Sequence, residues 1–284
     1  MSDDVLVVKI GGDRALNRAG VCRDLGRLVT GGRRVVLVHG GAADLDDLAR
    51  RLGVPQRRLT TPGGTSSRYT DPASMEVLRF ALLGGFKPEL VCELARNGVS
   101  AVGLSGMDGG LIRARRPRAY RALVDGRTRV VRDDHSGRIT GVDPSLPMSL
   151  LAAGAVPVLS PPALGEDSHP VNVDADRAAA AVAAALSGAG LPTRLVLLTA
   201  APGLLADHTD ESSLLTETLL APEGGVGGAA VGGMSVKLRA ARHALLGGAS
   251  SAVISDGRVE SPVLAAVAGE GTRVRVAEPV GSPR

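Results

Sequence analysis

Val5-Leu6-Val7-Val8-Lys9-Ile10-Gly11-Gly12 runs a continuous apolar strand into two glycines and sets one lysine near the strand's end. A helical pattern follows from about 18 to 30 and stops at Gly31-Gly32, and a second apolar strand covers 34 to 39. Strand, helix and strand joined by short links form a βαβ unit, which implies parallel pairing and an α/β fold. The second strand also ends in paired glycines, Gly40-Gly41, before a helix from 42 to 52. One such pair makes a tight turn. Two pairs at the carboxyl ends of neighbouring parallel strands, each opening into a helix, leave bare backbone N–H groups at one rim of the sheet, suited to an anion.

Lys9 stands out against its background. Only three of the 33 basic residues are lysines, Lys9, Lys87 and Lys237. A lysine retained in an arginine-rich chain marks a place where a compact ammonium on a flexible stem fits and a planar guanidinium does not, or is left by codon bias.

Bulk properties narrow the function classes. A chain of 284 residues accommodates one large α/β domain or two lobes and buries a sizeable core. Aromatic residues make up 1 % with no Trp, so the core is Val, Leu and Ala, and no stacking platform for single-stranded nucleic acid is expected. The net charge of +4 and pI near 9.6 point to an acidic partner or to phosphates. Cys22 and Cys92 lie far apart with no disulfide or metal-ligand spacing, and both read as buried small hydrophobes. The first strand begins almost at Met1, no apolar run reaches membrane-spanning length, and the cytoplasm is the expected location.

Further along, a polar loop over 59–71 carries Gly63, Gly64 and Arg68, whose fork suits a substrate carboxylate or simply solvent. Asp71-Pro72 caps a helix to about 97, with a break expected near Gly84-Gly85 and Pro88. A strand over 99–104 leads to a β-hairpin around Asp125-Gly126. Arginines crowd this hairpin region, about 111–133, at Arg113, Arg115, Arg116, Arg118, Arg121, Arg127, Arg129 and Arg132. It reads either as a solvated antiparallel excursion or as a docking surface for an acidic macromolecule. A strand over 155–160 precedes Pro161-Pro162 and a polar run to His169, which look like a hinge between lobes. Asn172-Val173-Asp174-Ala175-Asp176 then opens an alanine-rich helix, where either aspartate serves as a simple cap. A glycine-rich loop from 224 to 233 runs into a helix bearing Lys237, without the strand that a dinucleotide fingerprint requires.

These pieces suit transfer of a phosphoryl group between two anions, which depends on positioning and cationic stabilisation more than on covalent chemistry. A carboxylate acceptor is already ionised at pH 7, so no general base is needed, and His39 at a strand end is not expected to move a proton.

Lys9-Ile10-Gly11-Gly12, His39-Gly40-Gly41, Asn172 to Asp176 and Gly233-Met234-Ser235-Val236-Lys237, in this order, resemble the amino acid kinase family, and within it the acetylglutamate kinase group. The resemblance implies a three-layer αβα sandwich around a mainly parallel sheet, with an acyl-substrate and carrier lobe over 1–165 and an ATP lobe over 166–284. It implies Lys9, Lys237 and Asp176 as catalytic residues. Gly11, Gly12, Gly40, Gly41 and Gly233 would hold phosphate, and Gly63, Gly64, Arg68 and Asn172 the substrate. ATP with Mg2+ is the implied donor, no protein metal site is expected, and a homodimer is suggested. Pro62-Gly63-Gly64, Ser67-Arg68-x-Thr70-Asp71 and Gly103 to Gly109 look closest to the LysW-aminoadipate kinases, which phosphorylate a substrate carried on a small acidic amino-group carrier protein. That likeness favours Arg113, Arg115, Arg116 and Arg118 as a carrier surface, with no nucleic-acid or membrane partner. Gly85-Phe86-Lys87 departs from that branch's usual Val-Asn-Lys and puts a bulky ring beside the expected acyl pocket. Two alternatives stand beside this reading: a kinase of free N-acetylglutamate, and a non-catalytic nucleotide- or amino-acid-sensing module.

Overall fold

In the computed structural model, which describes residues 4–60, 66–124, 126–227 and 232–278, an 11-stranded sheet lies between two layers of helices. The first half contributes β1 (Val5–Ile10), α1 (Arg18–Thr30), β2 (Arg34–His39), α2 (Ala42–Leu52), β3 (Arg58–Thr60), β4 (Ser66–Arg68), α3 (Pro72–Arg79) and α4 (Lys87–Arg96). It continues with β5 (Ala101–Gly106), β6 (Ile112–Arg115), β7 (Tyr120–Val124), β8 (Arg127–Val131), β9 (Arg138–Val142), α5 (Ser145–Ala152) and β10 (Val156–Gly165). The second half supplies β11 (Pro170–Val171), α6 (Ala175–Gly188), β12 (Thr193–Thr199), β13 (Leu204–Leu205), β14 (Leu214–Leu215) and β15 (Glu217–Leu220). α7 (Gly233–Leu246), β16 (Ser251–Asp256), α8 (Pro262–Ala268) and β17 (Thr272–Val276) complete it.

The sheet order is β15-β17-β16-β12-β1-β2-β10-β6-β9, with β5 along the first part of β10 and β6 and β11 along the second. β1 sits between β2 and β12, parallel to both, so the sheet passes unbroken from one half of the chain to the other. Period-two alternation divides β1 between two cores. Val5 and Val7 pack with the alanines of α6 and with Leu238 and Ala241 of α7. Leu6, Val8 and Ile10 pack with Val21 and Leu25 of α1, Leu94 of α4 and Val263 of α8. Lys9 shares the parity of Val5 and Val7, so its side chain leaves the strand on the α6 and α7 side.

Most expected elements form where the pattern places them, and the differences have tertiary causes. The break in the 72–97 helix is a π-helical segment, Phe80–Phe86, after which α4 starts with Pro88 in its first turn. Pro161-Pro162 is not a hinge: it lies within β10. A proline in a strand removes a donor, and here the pair falls between two ladders, Val156–Ser160 with β5 and Ala163–Gly165 with β11 and β6, where no N–H is required. Cys22 is buried as expected, but Cys92 is exposed, on the outer face of α4. The arginine-rich region is two structures. Arg113 and Arg115 lie on β6, an extension of the main sheet, whereas β7 and β8 join β3 and β4 in a separate four-stranded sheet. Asp125 of the hairpin turn lies outside the described residues, and Gly126 beside it has φ 76°.

Candidate active site

Three charged side chains meet at the carboxyl end of β1. Asp174 caps α6 by accepting from the Arg177 amide at 2.9 Å, which leaves Asp176 in the first turn facing the sheet. Lys9 reaches it from β1, its Nζ 2.8 Å from Oδ1, and Lys237 reaches it from α7, its Nζ donating to Oδ2 at 2.8 Å. All three are almost completely buried, with side chains 7, 7 and 11 % exposed for Lys9, Asp176 and Lys237. Burial pushes the Asp176 carboxyl up, but the ammonium groups of Lys9 and Lys237 outweigh it and hold the group below the usual carboxylate range. For Lys237, burial and the charge of Lys9 lower the ammonium below its ordinary 10.5, and Asp176 offsets only part of this.

The glycine pairs stand against this trio. A β-carbon built on Gly12 would fall 2.1 Å from the Ala42 amide nitrogen and 2.6 Å from that of Gly41, so only glycine lets the two turns approach. A β-carbon on Gly11 would lie 3.7 Å from Lys9 Nζ, and one on Gly40 3.7 Å from the Ala175 β-carbon. The amides of Gly11, Gly12 and Gly41 find no hydrogen-bond acceptor among the described residues. Together with the amino end of α2 they present the set of free donors that an anion cradle requires. Gly233 is the first residue of α7, exposed, and one turn ahead of Lys237.

Lys9, Gly12, Gly40, Gly41, Arg68, Asn172 and Asp174 line one cleft of about 560 Å3. Arg68 is held there by Asp46 at 2.7 Å and by Gln56. Asn172 donates from Nδ2 to Thr70 Oγ1 at 2.9 Å, and Thr70 Oγ1 lies 3.0 Å from Ser136 Oγ. Gly63 and Gly64 lie outside the described residues. Several lining residues were not foreseen, namely Arg58, Ser66, Ser136, Gly137 and Arg177. Arg58 and Arg177 add two cations beside Arg68 and Lys9, a signal that a chain so rich in arginine hides. Phe86 does not line this cleft; its buried ring stacks on His39, with centroids 4.8 Å apart, beneath the guanidinium of Arg18.

Arg115, Arg116 and Arg118 line a surface depression of about 760 Å3 with Arg132, Glu166 and Asp167, while Arg113 lies exposed on β6 outside that lining. Arg115 pairs with Glu166 at 2.8 Å and Arg116 with Asp167 at 3.4 Å, so the patch carries its own counter-ions. Gly137 belongs to the cleft wall and packs on Arg115 so closely that a β-carbon would fall 2.6 Å from the Arg115 carbonyl oxygen. The depression and the cleft therefore share a wall.

No histidine stands among the described residues that line the cleft. His39 is buried behind Gly40, and burial lowers its ring to about 4, so the ring is neutral at pH 7. Paired cations and free amides, with no histidine among the described lining residues, suit a site that stabilises negative charge on a group in transfer.

The amino acid kinase family model matches residues 4–256. The chain belongs to the amino acid kinase family. It is 40 % identical over 275 residues to [LysW]-aminoadipate kinase of Thermus thermophilus, covering 95 % of this chain and 100 % of that one. The same named enzyme of Deinococcus radiodurans is 39 % identical, with 95 and 91 % covered. Acetylglutamate kinase of Symbiobacterium thermophilum is 37 % identical, with 93 and 87 % covered. Among solved structures, carbamate kinase of Giardia superposes with a TM-score of 0.60 at 15 % identity, covering 98 % of this chain and 100 % of that one, which supports the fold. As an amino acid kinase the chain is a phosphotransferase, and membership implies ATP as donor. No helix among the described residues is long and apolar enough to cross a membrane.

Proposed function

We propose that this kinase transfers the γ-phosphoryl group of ATP to the side-chain carboxylate of an aminoadipate- or glutamate-type group attached to an acidic carrier protein, giving an acyl phosphate and ADP. The observation that carries the reading is the wall shared by the arginine depression and the lysine cleft through Gly137 and Arg115. A carrier docked on the arginines would lie across Gly137 from the cleft that Lys9 lines.

In this reading residues 1–165 form the acyl and carrier lobe and residues 166–284 the ATP lobe. Arg68, Asn172 and the loop with Gly63 and Gly64 hold the acceptor. Gly11, Gly12, Gly40, Gly41 and Gly233 hold the phosphates. Lys9 and Lys237 stabilise charge on the transferring group while Asp176 fixes both ammonium groups 2.8 Å from its oxygens. The acceptor carboxylate attacks the γ-phosphorus, the bond to the β-bridging oxygen breaks, and no proton moves. Mg2+ would be carried by the phosphates of ATP and would neutralise part of their charge. Among the described residues no group of three or more His, Cys, Asp or Glu stands ready to cage an ion, and Asp176 is engaged by both lysines, so Asp174, the carboxylate among the described lining residues, would be the protein group to face the cation. A homodimer in the cytoplasm completes the proposal.

Incubating the chain with MgATP, hydroxylamine and either the loaded carrier or free N-acetylglutamate tests it. Hydroxamate on the carrier, read by intact mass, is the expected product. Hydroxamate from the free amino acid alone would replace the carrier reading with the acetylglutamate kinase one.

A further inference from the structure

His39 is fully buried at the end of β2, yet it is polar and takes no part in the chemistry described above. Its Nδ1 lies 2.8 Å from the carbonyl oxygen of Gly40. A carbonyl only accepts, so Nδ1 carries the hydrogen and Nε2 bears a lone pair, and Nε2 has no partner among the described residues. Leaving such an atom buried is unfavourable, so the ring's hydrogen bond to Gly40 is the interaction that accounts for a histidine here.

That bond sets the orientation of one peptide group. In a trans peptide the C=O and the following N–H point in opposite directions. With the Gly40 carbonyl held toward the buried ring, the Gly41 N–H is aimed the other way, to the cleft side that Gly12, Gly41 and Lys9 line. The neighbouring peptides are tied as well, because the Gly40 amide donates to Ile10 at 3.0 Å and the Gly41 carbonyl accepts from Leu45 at 2.9 Å. Without a side chain at either glycine, the Gly40–Gly41 peptide could otherwise rotate and present its carbonyl to the phosphates. The Phe86 ring packs against the His39 ring, tilted by 40° with centroids 4.8 Å apart, and restrains it.

We propose that His39 is a positioning residue that locks the Gly40–Gly41 peptide with its N–H toward the transferring phosphoryl group, and that Phe86 holds the ring for that task. The proposal rests on the phosphate cradle described above. Its ring stays neutral throughout the working range, because burial, reinforced by the charges of Lys87 and Arg18 and opposed by Asp44 and the bond to Gly40, keeps it near 4.

The test compares His39→Asn with His39→Gln. The shorter amide places an N–H where Nδ1 stands, and the longer one carries it past that point, while polarity and packing stay alike. Turnover, KM for ATP and Tm are measured on whichever acceptor the wild-type chain phosphorylates, so a change of acceptor would overturn the carrier reading and leave this comparison intact. His39→Asn is expected to retain kcat within about threefold, and His39→Gln to lose at least about tenfold at nearly unchanged KM for ATP, in line with the loss of one aimed donor. Full activity in His39→Gln, or an equal loss in both variants, would overturn it.

Discussion

Lys9 Nζ stands 2.8 Å from one carboxylate oxygen of Asp176, and the other oxygen is taken by Lys237 from the far half of the chain. Two buried ammonium groups thus share one counter-charge. Asp176→Asn removes it and leaves both cations buried without an anion. Breaking a buried pair in this way costs about 3 kcal/mol or more of stability, and the lysines repel each other out of register. Denaturant unfolding and kcat together measure the two effects, and turnover is expected to fall on the order of 10²-fold.

The lowered Lys237 ammonium sets an alkaline limit on the reaction. Its charged form is the useful one, and its folded value lies below 10.5, so the proton leaves earlier than from a free lysine. The expected profile of kcat falls as pH rises through a value below 10.5. Stability has the opposite sign: between the folded value and 10.5 the unfolded chain binds more protons, so this group's contribution to stability rises with pH. Lys237→Arg, permanently charged, is expected to remove the alkaline fall even where it lowers the plateau.

Gly12→Ala tests the approach of the two glycine turns. The new methyl would sit 2.1 Å from the Ala42 nitrogen, against backbone that has no side-chain freedom to yield. The expected outcome is loss of ATP binding, by calorimetry, by at least about tenfold with the fold retained by circular dichroism, because the turns part and the cradle opens.

Charge reversal on the shared wall separates carrier from nucleotide. Arg115 and Arg116 pair with Glu166 and Asp167 at the surface, and such exposed pairs hold weakly, so in the proposed reading a carrier carboxylate would exchange with them. Arg115→Glu with Arg116→Glu is expected to raise KM for the carrier about tenfold or more while KM for ATP stays unchanged. Steady-state kinetics against ionic strength supplies the second measure: the wild-type KM for the carrier rises with salt.

The resemblance to the amino acid kinases named Lys9, Asp176 and Lys237 together, and strand period and cap position, which are local rules, agree with it for two of the three. Lys9 follows the parity of Val5 and Val7, and Asp176 follows its cap Asp174 by half a turn, so both project to one layer. What stayed illegible depends on which strands pair. Pro161-Pro162 reads as a stop until β10 is seen to change neighbours there. Arg113 and Arg115 read with the hairpin until β6 pairs with β9. Thr70 and Ser136 are unremarkable alone and enter the site only because the Asp134 carboxylate accepts from both their amides and brings them beside Asn172. Phe86 reads as an acyl-pocket residue until its ring is found against His39.

The central claim is that Lys9 and Lys237, held on one aspartate, stabilise the phosphoryl group in transfer. Turnover of Lys9→Met and Lys237→Met with MgATP at saturation tests it most directly, because methionine keeps the apolar stem and deletes only the charge. Each is predicted to lose on the order of 10²-fold or more in kcat while KM for ATP moves little. Near-normal turnover in both variants would contradict the account.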